Sequence, residues 1–333
     1  MMTINPNSRA RARKLGLAFT GVALAASGVI GSMSASAASS ATVANDTLTV
    51  STGSGSDRVA LRLAAGAPGT LEVDLGDDGS ADHSFDRATF RQIEVSLGSG
   101  NDEFRVDQVN GLFADEALVV NGGSGNDIMN GGDNIEVFNG GSGDDFADGN
   151  RGNDTGVMGS GSDIFRWDPG DGSDIVEGDS GTDTLDFNGA NGDEEMSLLP
   201  NGGRSLFLRV QGNIRMDMDN VERLDLTALG GVDKLRFDDM SGTDLKQADV
   251  DLSAATGGPD GAVDEVTVNA TDRTDRIDVT TDGARVAVDG LKPSIDLTGS
   301  EAADKLLINT LGGDDDAVDV ADGVAALISV TVS

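Results

Sequence analysis

Residues 122–166 divide into five consecutive nines: GGSGNDIMN, GGDNIEVFN, GGSGDDFAD, GNRGNDTGV and MGSGSDIFR. Trp167 and Asp168 interrupt, and two more nines follow, PGDGSDIVE at 169–177 and GDSGTDTLD at 178–186. The fourth position is Gly in six of the seven (Gly125, Gly143, Gly152, Gly161, Gly172, Gly181), with Asn134 the exception. The sixth is Asp in six of the seven (Asp127, Asp145, Asp154, Asp163, Asp174, Asp183), with Glu136 the exception. Positions seven and eight are mostly apolar or Thr. A period of nine held this long fits neither a helix nor a heptad; it fits a turn followed by a short strand, repeated.

The residue types at these phases point to one chemistry. Glycines at the second and fourth positions, among them Gly123, Gly125, Gly141, Gly143, Gly152, Gly161, Gly172 and Gly181, let the backbone turn through φ > 0 and come close to a ligand. A turn of this kind directs several carbonyl oxygens at one spot, and the Asp adds a formal charge there. The apolar pair that follows makes a short strand with one side chain inward. Two nines then close one rung of a flattened parallel coil, so residues eighteen apart stack. Asp127, Asp145, Asp163 and Asp183 fall on one edge, and Glu136, Asp154 and Asp174 on the other. Neighbouring rungs lie about 4.7–4.9 Å apart. Calcium–oxygen bonds are about 2.3–2.6 Å, so oxygens on opposite sides of one Ca²⁺ are about 5 Å apart. The match predicts an all-β chain, a parallel β-roll or β-helix solenoid, with several Ca²⁺ ions held between turns by these acids and glycines. Hard oxygen ligands in irregular geometry suit Ca²⁺ better than Mg²⁺, which keeps its waters.

The nines resemble the G-G-x-G-x-D-x-U-x repeat of RTX (hemolysin-type) calcium-binding proteins. The resemblance implies a parallel β-roll with Ca²⁺ in the turns. Three departures stand out: Asn134 and Glu136 in the second nine, Asn150 for the second Gly of the fourth, and Pro169 opening the sixth. All three fall on the Glu136–Asp154–Asp174 edge, which is therefore expected to be the weaker. The wider layout is similar to secreted actinobacterial calcium-binding proteins of undefined role, through FRWDPGDGSD at 165–174, FNGAN at 187–191 and NVERLDL at 220–226.

A looser pattern, Asp-x-apolar-x-apolar, recurs outside the centre after Asp46, Asp57, Asp102, Asp233, Asp264, Asp275, Asp304 and Asp316. Each reads as a turn and an alternating strand, with the Asp there for its side-chain hydrogen bonds. Only Asp102, within GSGND, reads as a further candidate ligand. Residues 114–118 and 243–249 are expected to form a helical turn or two.

The 333 residues carry 58 acids against 23 bases, a net charge of −35, with no Cys and one His. Disulfides, thiolate sites and multi-His zinc sites are thereby excluded, and nucleic acid is not a partner, because phosphate contacts need clustered bases. Within 121–195 there are 18 acids and two bases, and the acids keep phase, which a merely solvated acidic surface would not. Arg9, Arg11, Arg13 and Lys14, an uncharged run from Leu15 to Ile30, and Ala35-Ser-Ala37 have the layout of a secretory signal peptide over 1–37. The mature chain is expected to begin near Ala38, to carry no membrane span, and to be extracellular or associated with the cell surface. Three regions follow: a strand-rich 38–120, the calcium-binding roll at 121–187, and a strand-rich 188–333.

The chain does not read as an enzyme. Acids are everywhere, so carboxylate pairs carry no information. Tyr is absent, and His83 reads as an exposed loop residue rather than a general base. Trp167, beside the insertion, reads as a cover over apolar edges of the coil rather than a platform for a sugar ring. The leading expectation is a secreted protein that folds on binding Ca²⁺. The alternative is an adhesin or polysaccharide-binding protein, and behind it a polysaccharide-modifying β-helix enzyme.

Overall fold

A strand with a side chain inward at every second residue needs a partner face, and the alternation here supplies two. In the computed structural model, which describes residues 39–312 and 316–333, successive strands of the repeat go by turns to two large sheets. The leader read from residues 1–37 lies outside the described residues. One sheet takes Ala117–Ser124, Glu136–Ser142, Thr155–Gly161 and Ile175–Glu177; the other takes Ile128–Asn130, Phe146–Asp148, Ile164–Trp167 and Thr184–Asn188. Neighbours among these repeat strands run parallel. Val119 lies beside Val137 and Val137 beside Thr155; Ile128 lies beside Phe146 and Phe146 beside Ile164. Each step is eighteen residues, and the Trp167–Asp168 insertion lengthens it to twenty, with Thr155 beside Ile175 and Ile164 beside Thr184.

The inward residues form one continuous core. Val120, Phe138 and Val176 face it from the first sheet, and Met129, Ala147, Phe165 and Leu185 from the second. Large and small residues interlock: a Cβ on Gly156 would come within 2.7 Å of the Phe165 ring. Trp167 is a core residue rather than an edge cover. It is fully buried, lies flat on Phe187 with ring centroids 4.1 Å apart, and its indole N–H donates to the Gly172 carbonyl at 2.8 Å.

Beyond the repeats the same two sheets continue. Glu103–Asp107 precedes Ile128–Asn130, and Arg223–Thr227 and Gln247–Asp251 follow Thr184–Asn188. Each sheet also has an antiparallel N-terminal edge, Ser40–Ala44 with Thr47–Ser51 in the first and Arg58–Ala64, Ala67–Leu75 and His83–Asp86 in the second, and an antiparallel excursion within it. In the first, Ile214–Asp219, Arg204–Arg209 and Glu195–Asn201 stand between Ile175–Glu177 and Lys234–Phe237. In the second, Ser294–Thr298, Arg285–Asp289 and Arg276–Asp282 stand between Gln247–Asp251 and Ala317–Val320.

The helical turns expected at 114–118 and 243–249 do not form; Ala117–Ser124 and Gln247–Asp251 are strands. Leu118 and Val120, and Ala248 and Val250, are buried at a period of two, and that alternation decides the outcome. His83 begins a strand, His83–Asp86, at the edge of its sheet and is half-buried beside Phe85, rather than lying in an open loop.

Candidate metal centres

Each repeat Asp occupies the last turn position before its strand, and stacking turns that position into a column. Asp145 Oδ1 accepts the backbone N–H of Asp127 at 2.8 Å, Asp163 Oδ1 that of Asp145 at 2.7 Å, and Asp183 Oδ1 that of Asp163 at 2.9 Å. On the other edge Asp154 Oδ1 accepts the N–H of Glu136 at 2.8 Å and Asp174 Oδ1 that of Asp154 at 2.7 Å. Each Asp carboxylate thus spends one oxygen on the neighbouring rung, whereas Glu136 Oε2 accepts the N–H of Gly132 in its own turn at 3.3 Å. The second oxygen is a different matter. Oδ2 of Asp127, Asp145, Asp154, Asp163 and Asp183 is buried without a hydrogen-bond partner, although each residue is at most 2% exposed. An unpartnered buried acceptor carries its full desolvation cost, larger still when charged.

The glycines make this packing possible. Gly141 has φ 108°, and a Cβ there would lie 2.2 Å from the carbonyl oxygen of Gly123 one rung away; at Gly143, φ 125°, it would lie 2.1 Å from that of Gly125. Gly123 and Gly125 meet the Gly98 and Gly100 carbonyls in the same way, Gly161 meets Gly143, and Gly181 meets Gly161. On the other edge Gly152 meets the Asn134 carbonyl and Gly172 that of Gly152. A side chain at these positions would have to displace backbone. The turns therefore stack carbonyl oxygens beside the carboxylates.

Electrostatics follow from burial. Desolvation pushes Asp145 up to about 7 and Asp127 and Asp183 to about 6, and raises Asp163; the cross-rung N–H bonds offset only part of it. On the other edge desolvation pushes Glu136 to about 7 and Asp154 and Asp174 to about 8. Neighbouring carboxylates add to the rise, Asp127 and Asp163 at Asp145 for example.

The donor set is oxygen throughout: one buried carboxylate per turn plus main-chain carbonyls. Among the described residues no three His, Cys, Asp or Glu side chains converge on a single point. A cation here would be shared between rungs, and the orphaned Oδ2 atoms fit a hard divalent ion. Expected weaknesses on the second edge are partly absorbed. Asn150 takes the left-handed φ of 57° that its position requires, which Asn tolerates. The insertion closes on itself, Asp168 N–H donating to Asp171 Oδ2 at 2.6 Å, and both columns pass it unbroken.

The column at Asp127 is longer than the repeats. Asp102 Oδ1 accepts the N–H of Asp57 at 2.7 Å, Asp127 Oδ1 accepts that of Asp102 at 2.8 Å, and Asp102 Oδ2 is another buried orphan. At the far end Glu222 Oε2 accepts the N–H of Asp183 at 3.0 Å, and Lys246 occupies the next position, 3.6 Å from Glu222. A second column in the first sheet runs Glu194, Asp233, Asp264, Asp304, with cross-rung bonds of 2.9, 2.9 and 3.0 Å. Glu194 and Glu222 are not singled out in the sequence; Asp102 reads there as a further candidate ligand, and Asp233, Asp264 and Asp304 only as turn residues. Their signal was the Asp-x-apolar-x-apolar pattern, whose uneven spacing concealed the stacking. No family model matches the chain, and no curated protein matches it.

Proposed function

We propose that the protein is a secreted calcium-binding repeat protein of RTX type, in which the two sheets are the walls of a β-roll and Ca²⁺ ions lie in its turns. Bound calcium would supply positive charge to the stacked carboxylates. Asp127, Asp145, Asp163 and Asp183 would hold it on one edge, Glu136, Asp154 and Asp174 on the other, with the glycine carbonyls completing the oxygen shell. The observation that carries this reading is the set of buried, unpartnered Oδ2 atoms along the columns. Without a cation, low hydrophobicity and close like charges favour the unfolded chain. With one, binding free energy becomes folding free energy. On this reading the protein acts as a cation-loaded scaffold and not as a catalyst.

The test is a calcium titration of the mature chain followed by far-ultraviolet circular dichroism, with magnesium as the comparison. Calcium at about millimolar, the range of extracellular modules, is expected to raise β content, and magnesium to do so poorly. Equal β content in chelator and in calcium would remove the proposal.

A further inference from the structure

We propose that Arg209 is a resident counter-cation for Glu194, supplying from within the chain the positive charge that a bound ion would supply elsewhere in the columns; the inference rests on the calcium reading above. Glu194 occupies the same local frame as the repeat acids. Asp127 follows Gly122 by five residues, and its Oδ2 lies 2.5 Å from where a Cβ of Gly122 would be; Asp145 and Gly140 match at 2.6 Å, and Asp183 and Gly178 at 2.7 Å. Glu194 follows Gly189 by five, and its Oε2 lies 2.4 Å from the corresponding point.

The two kinds of acid differ in what the carboxylate meets. Asp127, Asp145 and Asp183 each spend one oxygen on a neighbouring rung and leave the other orphaned. Glu194 has no orphan. Its Oε2 accepts the N–H of Ala190 at 2.8 Å, and its Oε1 accepts from both Nε and a terminal nitrogen of Arg209. Arg209 ends the strand Arg204–Arg209 of the antiparallel excursion, which interrupts the rung succession between Asp174 and Glu194. The guanidinium therefore arrives where the preceding rung is missing. It is held there by the Gln211 carbonyl at 2.8 Å and by the face of Trp167, 5.3 Å from the ring centroid. Both partners are nearly buried, with side-chain exposures of 11% and 1%. Lys246 ends the other column beside Glu222 in the same sense, though it is mostly exposed. At both places the acid is Glu.

The consequence is a boundary. The column that begins at Glu194 opens on an acid already paired, and Asp233, Asp264 and Asp304 leave no buried carboxylate oxygen orphaned, so Lys234–Phe237, Glu265–Asn269 and Lys305–Asn309 should hold their structure without calcium while the central strands do not. Peptide-resolved hydrogen exchange on the mature chain tests this, using wild type, Arg209→Gln and the double variant Glu194→Gln/Arg209→Gln, each in chelator and at millimolar calcium. In wild type, only the central strands should gain protection with calcium. In Arg209→Gln, the three C-terminal strands should lose protection in chelator and recover it in calcium. The double variant, with no charge left to balance, should show no calcium response there.

If Arg209→Gln keeps its C-terminal protection in chelator, or loses it and calcium does not restore it, Arg209 is only a packing residue and the inference is overturned. A calcium response of the C-terminal strands in the double variant equal to that in Arg209→Gln also overturns it. If the wild-type centre itself ignores calcium, the calcium reading fails, and this inference with it.

Discussion

The centre, residues 122–186, and the C-terminal column from Glu194 to Asp304 reach one geometry by different means. Both stack an acid before every strand of an edge, and both pass a carboxylate oxygen to a neighbouring N–H. In the centre the rungs are eighteen or twenty residues, the turns are closed by glycines at backbone contact, and the second oxygens of Asp127, Asp145, Asp154, Asp163 and Asp183 are orphans. In the C-terminal column the steps are 39, 31 and 40 residues, and Arg209 opens the series. Asp304 satisfies both its oxygens, from Asp264 N–H at 3.0 Å and Glu301 N–H at 2.6 Å. Here the long turns bring a base to Glu194 and a second backbone donor to Asp304. The nine-residue repeats of the centre bring no base to Asp127, Asp145, Asp154, Asp163 or Asp183, and on the proposed reading the balancing charge comes from solution.

The largest expected difference between the regions is steric. Gly143→Val would place a Cβ 2.1 Å from the Gly125 carbonyl oxygen at φ 125°, so the centre should fail to gain β structure at any calcium concentration. Gly258→Val, at φ 84° with open space around it, should cost only about 1–2 kcal/mol of left-handed strain, measured by urea denaturation. A calcium-induced transition surviving in Gly143→Val would show that the stacked turns are not as close as described.

Next in size are the ligand changes. Asp145 stands between two repeat rungs, and Asp145→Ala removes a charged group from both, so the calcium midpoint for folding should rise by about tenfold or more, equivalent to about 1.4 kcal/mol. Glu136→Ala, at the end of its column, should raise it less, and Asp264→Ala should leave it unchanged while lowering stability. Circular dichroism titrations of the three variants beside wild type decide this. An equal shift in Asp145→Ala and Asp264→Ala would erase the distinction between the regions.

The smallest effect is in pH. In chelator, the central acids that burial pushes to about 6 to 8 from an ordinary 3.8 bind protons more tightly folded than unfolded. Their contribution to the metal-free fold is fully present below about 3.8 and is lost as pH rises through about 6 to 8. Calcium-free protein should therefore show more central β structure at pH 5 than at pH 8. With limiting calcium the order should reverse, because protons then compete with the ion. Proton-independent folding in chelator would mean that the central carboxylates are better solvated than their burial indicates.

The repeat region, residues 122–186, was legible because its signal is periodic. Nine-residue phase gives the strand, two nines give the rung, and the rung gives the neighbours of Asp127, Asp145 and Asp163. The excursion at 195–219 was not legible. Its strands carry alternation but no Gly/Asp phase, and nothing in that alternation says whether a strand joins its sheet parallel or antiparallel. Trp167 was misplaced for a related reason: an insertion beside a turn suggests an edge, whereas Phe165 and Trp167 keep the strand's period of two and both point inward. The C-terminal column was hidden by its uneven steps, since stacking needs only that each turn return to the edge, not that it do so at constant length.

The most direct test of the central claim is hydrogen exchange at the short strands Ile128–Asn130, Phe146–Asp148 and Ile164–Trp167 of the mature wild-type chain, measured in chelator and again in millimolar calcium. Rapid exchange is expected in chelator, and strong, cooperative protection of all three strands in calcium. Protection that is already complete in chelator and unchanged by calcium would contradict it.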